Sequence, residues 1–151
     1  LIQRFASHLE MMKGELPEER YCAYLASVYT YQLALDKSQL MKYAKGIFSN
    51  IQRAMELNPN DPFVLSMQGN VEFYSPFGSK KTALEYFQKA DSLYGISGTD
   101  YERWNRRAVQ MTYIQCLSKQ RSLFPLCARD GVHYKNNLFL FGHTIFIGCC
   151  S

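Results

Sequence analysis

The sequence predicts an all-α chain assembled from repeated helix pairs, and three observations lead there. Apolar residues recur at spacings of three and four from Phe5 to Leu117, the period of a helix with one buried face. Proline, glycine, Asn and Asp interrupt that pattern at short intervals, most sharply at Asn58-Pro-Asn-Asp-Pro62. Finally, Ile51-Gln-Arg-Ala-Met-Glu-Leu57 returns as Phe87-Gln-Lys-Ala-Asp-Ser-Leu93, an offset of 36 residues that places Gln, a basic residue, Ala and Leu alike.

The elements follow in order. A short first helix uses Phe5, Leu9 and Met12 and is expected to end at Gly14, which can adopt the left-handed cap conformation. A long second helix spans Pro17 to Leu35, with Tyr21, Tyr24, Leu25, Val28, Gln32 and Leu35 at helical spacing and Glu18 and Glu19 in the first turn. After Asp36, the stripe Leu40, Tyr43, Ala44, Ile47, Ile51, Ala54 and Met55 predicts a third helix up to Leu57. Pro59 lacks an amide hydrogen and pushes Asn58 out of helical geometry, which stops it. Asp61 can then cap the next helix, and Pro62 fits its first position because a missing donor costs nothing there.

Helix four is expected from Pro62 to about Phe73. Helix five should run from about Lys80 to Leu93, with Ser79 as its cap and Ala83, Leu84, Phe87 and Ala90 facing inward. Gly95-Ile-Ser-Gly98 predicts a break, and Thr99-Asp-Tyr-Glu102 has the spacing of a capping box. Helix six follows to about Lys119, with Trp104, Ala108, Met111, Ile114 and Cys116 or Leu117 as inward positions.

These residues resemble the tetratricopeptide repeat, a helix-turn-helix unit of about 34 residues. Gly69 stands where that family has the small residue of its first helix, Ala83, Phe87 and Ala90 match the small, aromatic and small positions of the second, and Pro59 matches the closing proline. Ala54 fills the small position of an earlier unit. The turn Ser75-Pro-Phe-Gly-Ser79 is longer than usual by about two residues, which accounts for the offset. The first unit lacks the Leu-Gly pair, and the third has only its first helix, so the likeness covers residues 17 to 120. It implies a short right-handed α-solenoid over residues 1–120 and a tail, cap or disordered segment over 121–151.

The family likeness further implies a non-enzymatic adaptor or scaffold that binds a protein or peptide along the concave face of its first helices. The inner-face positions would be Phe63, Ser66, Asn70, Phe73 and Tyr74, with Asn70 able to bond a ligand backbone and the aromatics supplying contact area. Arg103, Arg106 and Arg107 sit three and four apart, so two or three guanidinium groups, Arg103 and Arg107 among them, share one face and could grip an acidic ligand. An alternative reading is a structural subunit that joins a permanent assembly through its apolar tail or a helix edge.

Composition narrows the classes. With 151 residues, 47% of them apolar, the chain can bury a core of its own. Its formal net charge of +4 is spread along the sequence, without the dense basic face of a nucleic-acid binder, so that reading is the weakest. No Gly-rich phosphate loop, Gly-x-Ser-x-Gly elbow or His-Glu-x-x-His helix is present, so neither catalysis, a cofactor nor a small-molecule substrate is expected. No apolar run is long enough for a membrane span.

From Ser122 helical spacing gives way to short Phe, Leu, Ile and Thr runs around Gly142, which read as strand-like or irregular. Cys127, His133, His143, Cys149 and Cys150 have metal-ligand chemistry, but their spacing fits no closed zinc site, and the terminal cysteines lack a lipidation pattern. Five cysteines without a CxxC pair do not form a disulfide framework, and the compartment stays open.

Overall fold

A computed structural model describes residues 1–97 and 102–121. Over these residues the chain is all-helical: α1 is Ile2–Met11, α2 Glu18–Leu35, α3 Leu40–Leu57, α4 Pro62–Tyr74, α5 Lys80–Ser97 and α6 Arg103–Arg121, with a 3₁₀ turn at Lys37–Gln39. The Thr99 capping box and the strand-like tail from Ser122, with its cysteines and histidines, lie outside the described residues. Two compact units emerge, Leu1–Gln68 and a second beginning at Gly69, and the border falls inside α4.

Within the first unit, α1 reverses at Gly14, whose φ of +89° is open to glycine and costly to other residues. Leu9 is buried, and Phe5 meets the Tyr24 ring edge-on at 6.3 Å. Met12 falls just past the end of α1 and is exposed, so it does not join that apolar face. The paired residues of α2 and α3 run in opposite senses: Glu18 meets Arg53 at 2.9 Å, while Tyr29 meets Tyr43 with ring centres 6.5 Å apart. This antiparallel pair is closed by Asp36, whose carboxylate accepts the Ser38 amide at 2.9 Å and nucleates the 3₁₀ turn. Leu40, expected to face inward, is instead exposed at the corner where α3 begins.

Against α2 lies the first half of α4. Arg20 pairs with Asp61, Tyr24 stacks on Phe63 at 4.5 Å, and the Ser27 hydroxyl reaches the Met67 sulfur at 3.8 Å. In each pair the residue numbers differ by about forty, so α2 and the first half of α4 run parallel. Flanked by α1, α3 and α4, α2 buries more of its circumference than one stripe: Cys22, Ala23, Ala26, Ser27 and Val28 are all inside.

The joint between α3 and α4 is built as its sequence predicts. Asn58 is extended at φ −148°, ψ 89°, and its side chain accepts the Asn60 amide at 3.1 Å. A single oxygen of Asp61, Oδ1, accepts the amides of Phe63 and Val64 at 2.8 and 3.0 Å, so two otherwise orphaned donors of the first turn are satisfied.

In the second unit, α5 and α6 are antiparallel and tied by polar bonds. Arg106 and Gln110 both donate to Asp91 at 2.8 Å, and Gln88 donates to the Tyr113 hydroxyl at 2.9 Å. The Ser79 hydroxyl caps α5 by accepting the Thr82 amide at 3.3 Å. Ala83, Phe87, Ala90 and Tyr94 form its buried face.

Two further expectations are corrected. Helix five does not break at Gly95 but continues to Ser97. Gly95 leaves space for Arg106: a Cβ there would stand 3.2 Å from the guanidinium that holds Asp91, one turn earlier on the same face. The inward face of helix six is also different, because Trp104, Met111 and Ile114 are exposed while Val109 and Cys116 are buried. Apolar residues surround α6 on several sides, so the hydrophobic pattern alone does not fix its phase, and the polar ties to Asp91 and Gln88 mark the side that meets α5.

Asp61 joins a cap and an ion pair in one side chain, and the two roles are separable. Asp61→Ala is expected to cost about 2 to 3 kcal/mol in urea unfolding, against about 1 kcal/mol for Asp61→Asn, which keeps the cap and loses the charge. Equal losses would show that the cap contributes nothing, and no loss in Asp61→Asn would show that the ion pair contributes nothing. Gly69→Ala is expected to destabilise by about 1 to 2 kcal/mol despite the better helix propensity of Ala, because the new Cβ would stand 2.7 Å from the buried Phe87 ring. In a Phe87→Leu background the same change should become neutral or favourable.

Candidate functional site

The inner-face positions expected on α4 have unequal surface to offer. Phe63 is 5% exposed and lies under Tyr24, and the Ser66 hydroxyl is turned back to the Phe63 carbonyl at 2.7 Å. Both are spent on packing in the first unit. In the second unit Phe73 is also buried, its ring 4.7 Å from that of Tyr74 and 5.0 Å from the Lys119 ammonium. Asn70 and Tyr74 are half-buried, which leaves part of each accessible.

On α6, Arg103 and Arg107 are exposed, and the Arg107 guanidinium stands 5.5 Å from the centre of the Trp104 ring. Arg106 belongs to a different face, since it is committed to Asp91. The three arginines therefore do not act as one cluster. Their spacing alone did not separate them, because a partner on α5 is invisible until the register of the two helices is known.

Close approaches fix the helix pairs that carry these residues. Gly69 lies under Phe87, and Gly46 lies under Tyr29, each glycine where a Cβ would come within 2.7 Å of the ring. In the second unit the first helix of the pair supplies the glycine, and in the first unit the second helix does. The Gly69 approach is legible from the repeat pattern, whereas Gly46 follows no position of it.

Burial governs the titrating groups here. It pushes the Tyr74 phenol and the Cys22 and Cys116 thiols above their ordinary values, so both cysteines stay protonated and poorly nucleophilic. The Cys116 thiol rests 3.5 Å from the Lys80 carbonyl, a helix-packing contact. Among the described residues, no group of three or more His, Cys, Asp and Glu gathers as a metal site would require. No helix among them is long and apolar enough to cross a membrane.

The bond from Arg106, with a second from Gln110, holds the Asp91 carboxyl below its usual range. A depressed folded pKa means stability that is present above the unfolded carboxylate range and lost as the pH falls through the folded value. Wild type should therefore lose stability on acidification more steeply than Asp91→Asn, in thermal melts between neutral pH and about pH 3. The difference should stay under about 1 kcal/mol because both partners are substantially exposed. Parallel acid limbs would remove Asp91 from the ledger of acid-sensitive groups.

No family model, curated protein or solved structure matches the chain.

Proposed function

We propose that this chain is a non-enzymatic helical-repeat module of tetratricopeptide type, which holds a protein or peptide segment on the concave side of a short right-handed solenoid. The observation that supports this most is that the sequence repeat is also a repeat of burial. Ile51 and Phe87, 36 residues apart, are each 1% exposed, Ala54 and Ala90 are both fully buried, and the Gln and basic residues between them face solvent at both places. A chain whose helix pairs reuse one packing solution gains length by repetition, and its first helices then offer a continuous surface for an extended ligand.

Asn70 and Tyr74 on α4, with Arg103 and Arg107 on α6, are the candidate contacts that keep accessible surface. Asn70 offers both a donor and an acceptor to a peptide backbone. The arginines favour acidic ligands, with guanidinium forks suited to carboxylates. Phe73, with its ring against that of Tyr74, supports this surface from beneath.

The test is affinity capture from the native host, quantified by mass spectrometry, with wild type, Asn70→Ala and Arg107→Glu in parallel. A small set of proteins enriched by wild type is expected to fall about tenfold with either variant, while melting temperatures stay level. An unchanged set would contradict the assignment of these contacts. The structural-subunit reading makes a different demand, an obligate oligomer in sedimentation at all concentrations.

A further inference from the structure

Resting on that peptide-binding reading, we infer that the exposed face of α6 that carries Arg107 is a docking surface for an amphipathic helix with an apolar ridge and acidic flanks. Trp104, Met111 and Ile114 are 49%, 58% and 64% exposed and are spaced seven and three residues apart, so they share one side of the helix. Three large apolar side chains aligned in this way exceed the scattered exposure of an ordinary surface. Arg107 lies between Trp104 and Met111 in sequence, on the same side, with its guanidinium near the indole ring.

Charge selects the occupant. From Arg103 to Arg121 the helix contains five basic residues and no carboxylate. Asp91 on α5 neutralises Arg106, and Arg103 and Arg107 are the exposed cations near the stripe. An apolar stripe bordered by cations is complementary to a helix whose leucines lie along the stripe and whose glutamates reach Arg107. Two helices that pack side by side meet through residues three, four and seven apart, and Trp104, Met111 and Ile114 are seven and three apart.

Trp104 is the only tryptophan, so its emission reports on this face directly. The probe is a short synthetic helix with a leucine ridge and glutamate flanks, titrated into the full chain, with a lysine-flanked version as control. A saturable blue shift with the glutamate helix, about tenfold weaker with Ile114→Glu, is expected. Arg107→Glu should lower affinity for the glutamate helix about tenfold and raise it for the lysine helix, an exchange that loss of structure could not produce.

Equal binding of the two probes would overturn the inference, since it would show apolar adhesion alone. An emission shift on diluting the protein by itself would overturn it in favour of a second copy. Shielding of Trp104 from acrylamide in the free chain would overturn it in favour of a covering segment of the chain itself. If Trp104 does not respond while capture sensitive to Asn70→Ala persists, only this inference falls. If both fail, the peptide-binding reading falls with it.

Discussion

Asp61 is 7% exposed, and its carboxylate accepts from two backbone amides and from Arg20 at once. A charge so far removed from water is costly unless its acceptor capacity is filled, and here the N-terminus of α4, with its partial positive charge, does much of the filling. Remove that arrangement and α4 loses its start, Arg20 loses a buried partner, and the parallel placement of α2 and the first half of α4 loses its polar anchor. Tyr24 on Phe63 and Ser27 on Met67 then have no fixed register to pack in. The hydrophobic contacts supply most of the free energy, but this one carboxylate decides which contacts form.

Register elsewhere is set by size. A helix pair comes close only where one partner contributes almost nothing, and Gly46 and Gly69 do so beneath aromatic rings. Ala54, Ala83 and Ala90 are each fully buried, and a larger side chain at any of them would have to displace its neighbours in a densely packed interior. Gly95 applies the same device to a polar contact, making room for a guanidinium instead of a ring. Large residues fill the interior, and the smallest ones fix how the helices meet.

Much of the helical order was legible because its signals are local. Asp61, Pro62 and Ser79 mark helix starts by chemistry that acts within three residues, and the structure places starts there. The phase of α6 was not legible, since Trp104, Met111 and Ile114 are as apolar as Val109 and Cys116, and the bonds that mark the side meeting α5 come from Asp91 and Gln88 on another helix. Gly95 misled for the same reason: its local preference is to end a helix, while its function depends on Arg106. Of the candidate contacts, Asn70 was named from the repeat likeness and the arginines from their spacing, but the burial of Phe63 beneath Tyr24 depends on a neighbour some forty residues earlier.

Native-state hydrogen exchange tests the central claim most directly, because it reads the opening of Arg20–Val28 and of Phe63–Met67 separately, amide by amide. If Asp61 couples the two helices, both segments open together with one free energy, and loss of the Asp61 carboxylate lowers protection in both by the same factor. If the first turn of α4 frays by itself while α2 keeps its protection, the joint is a local cap and the parallel packing of the two helices does not depend on it.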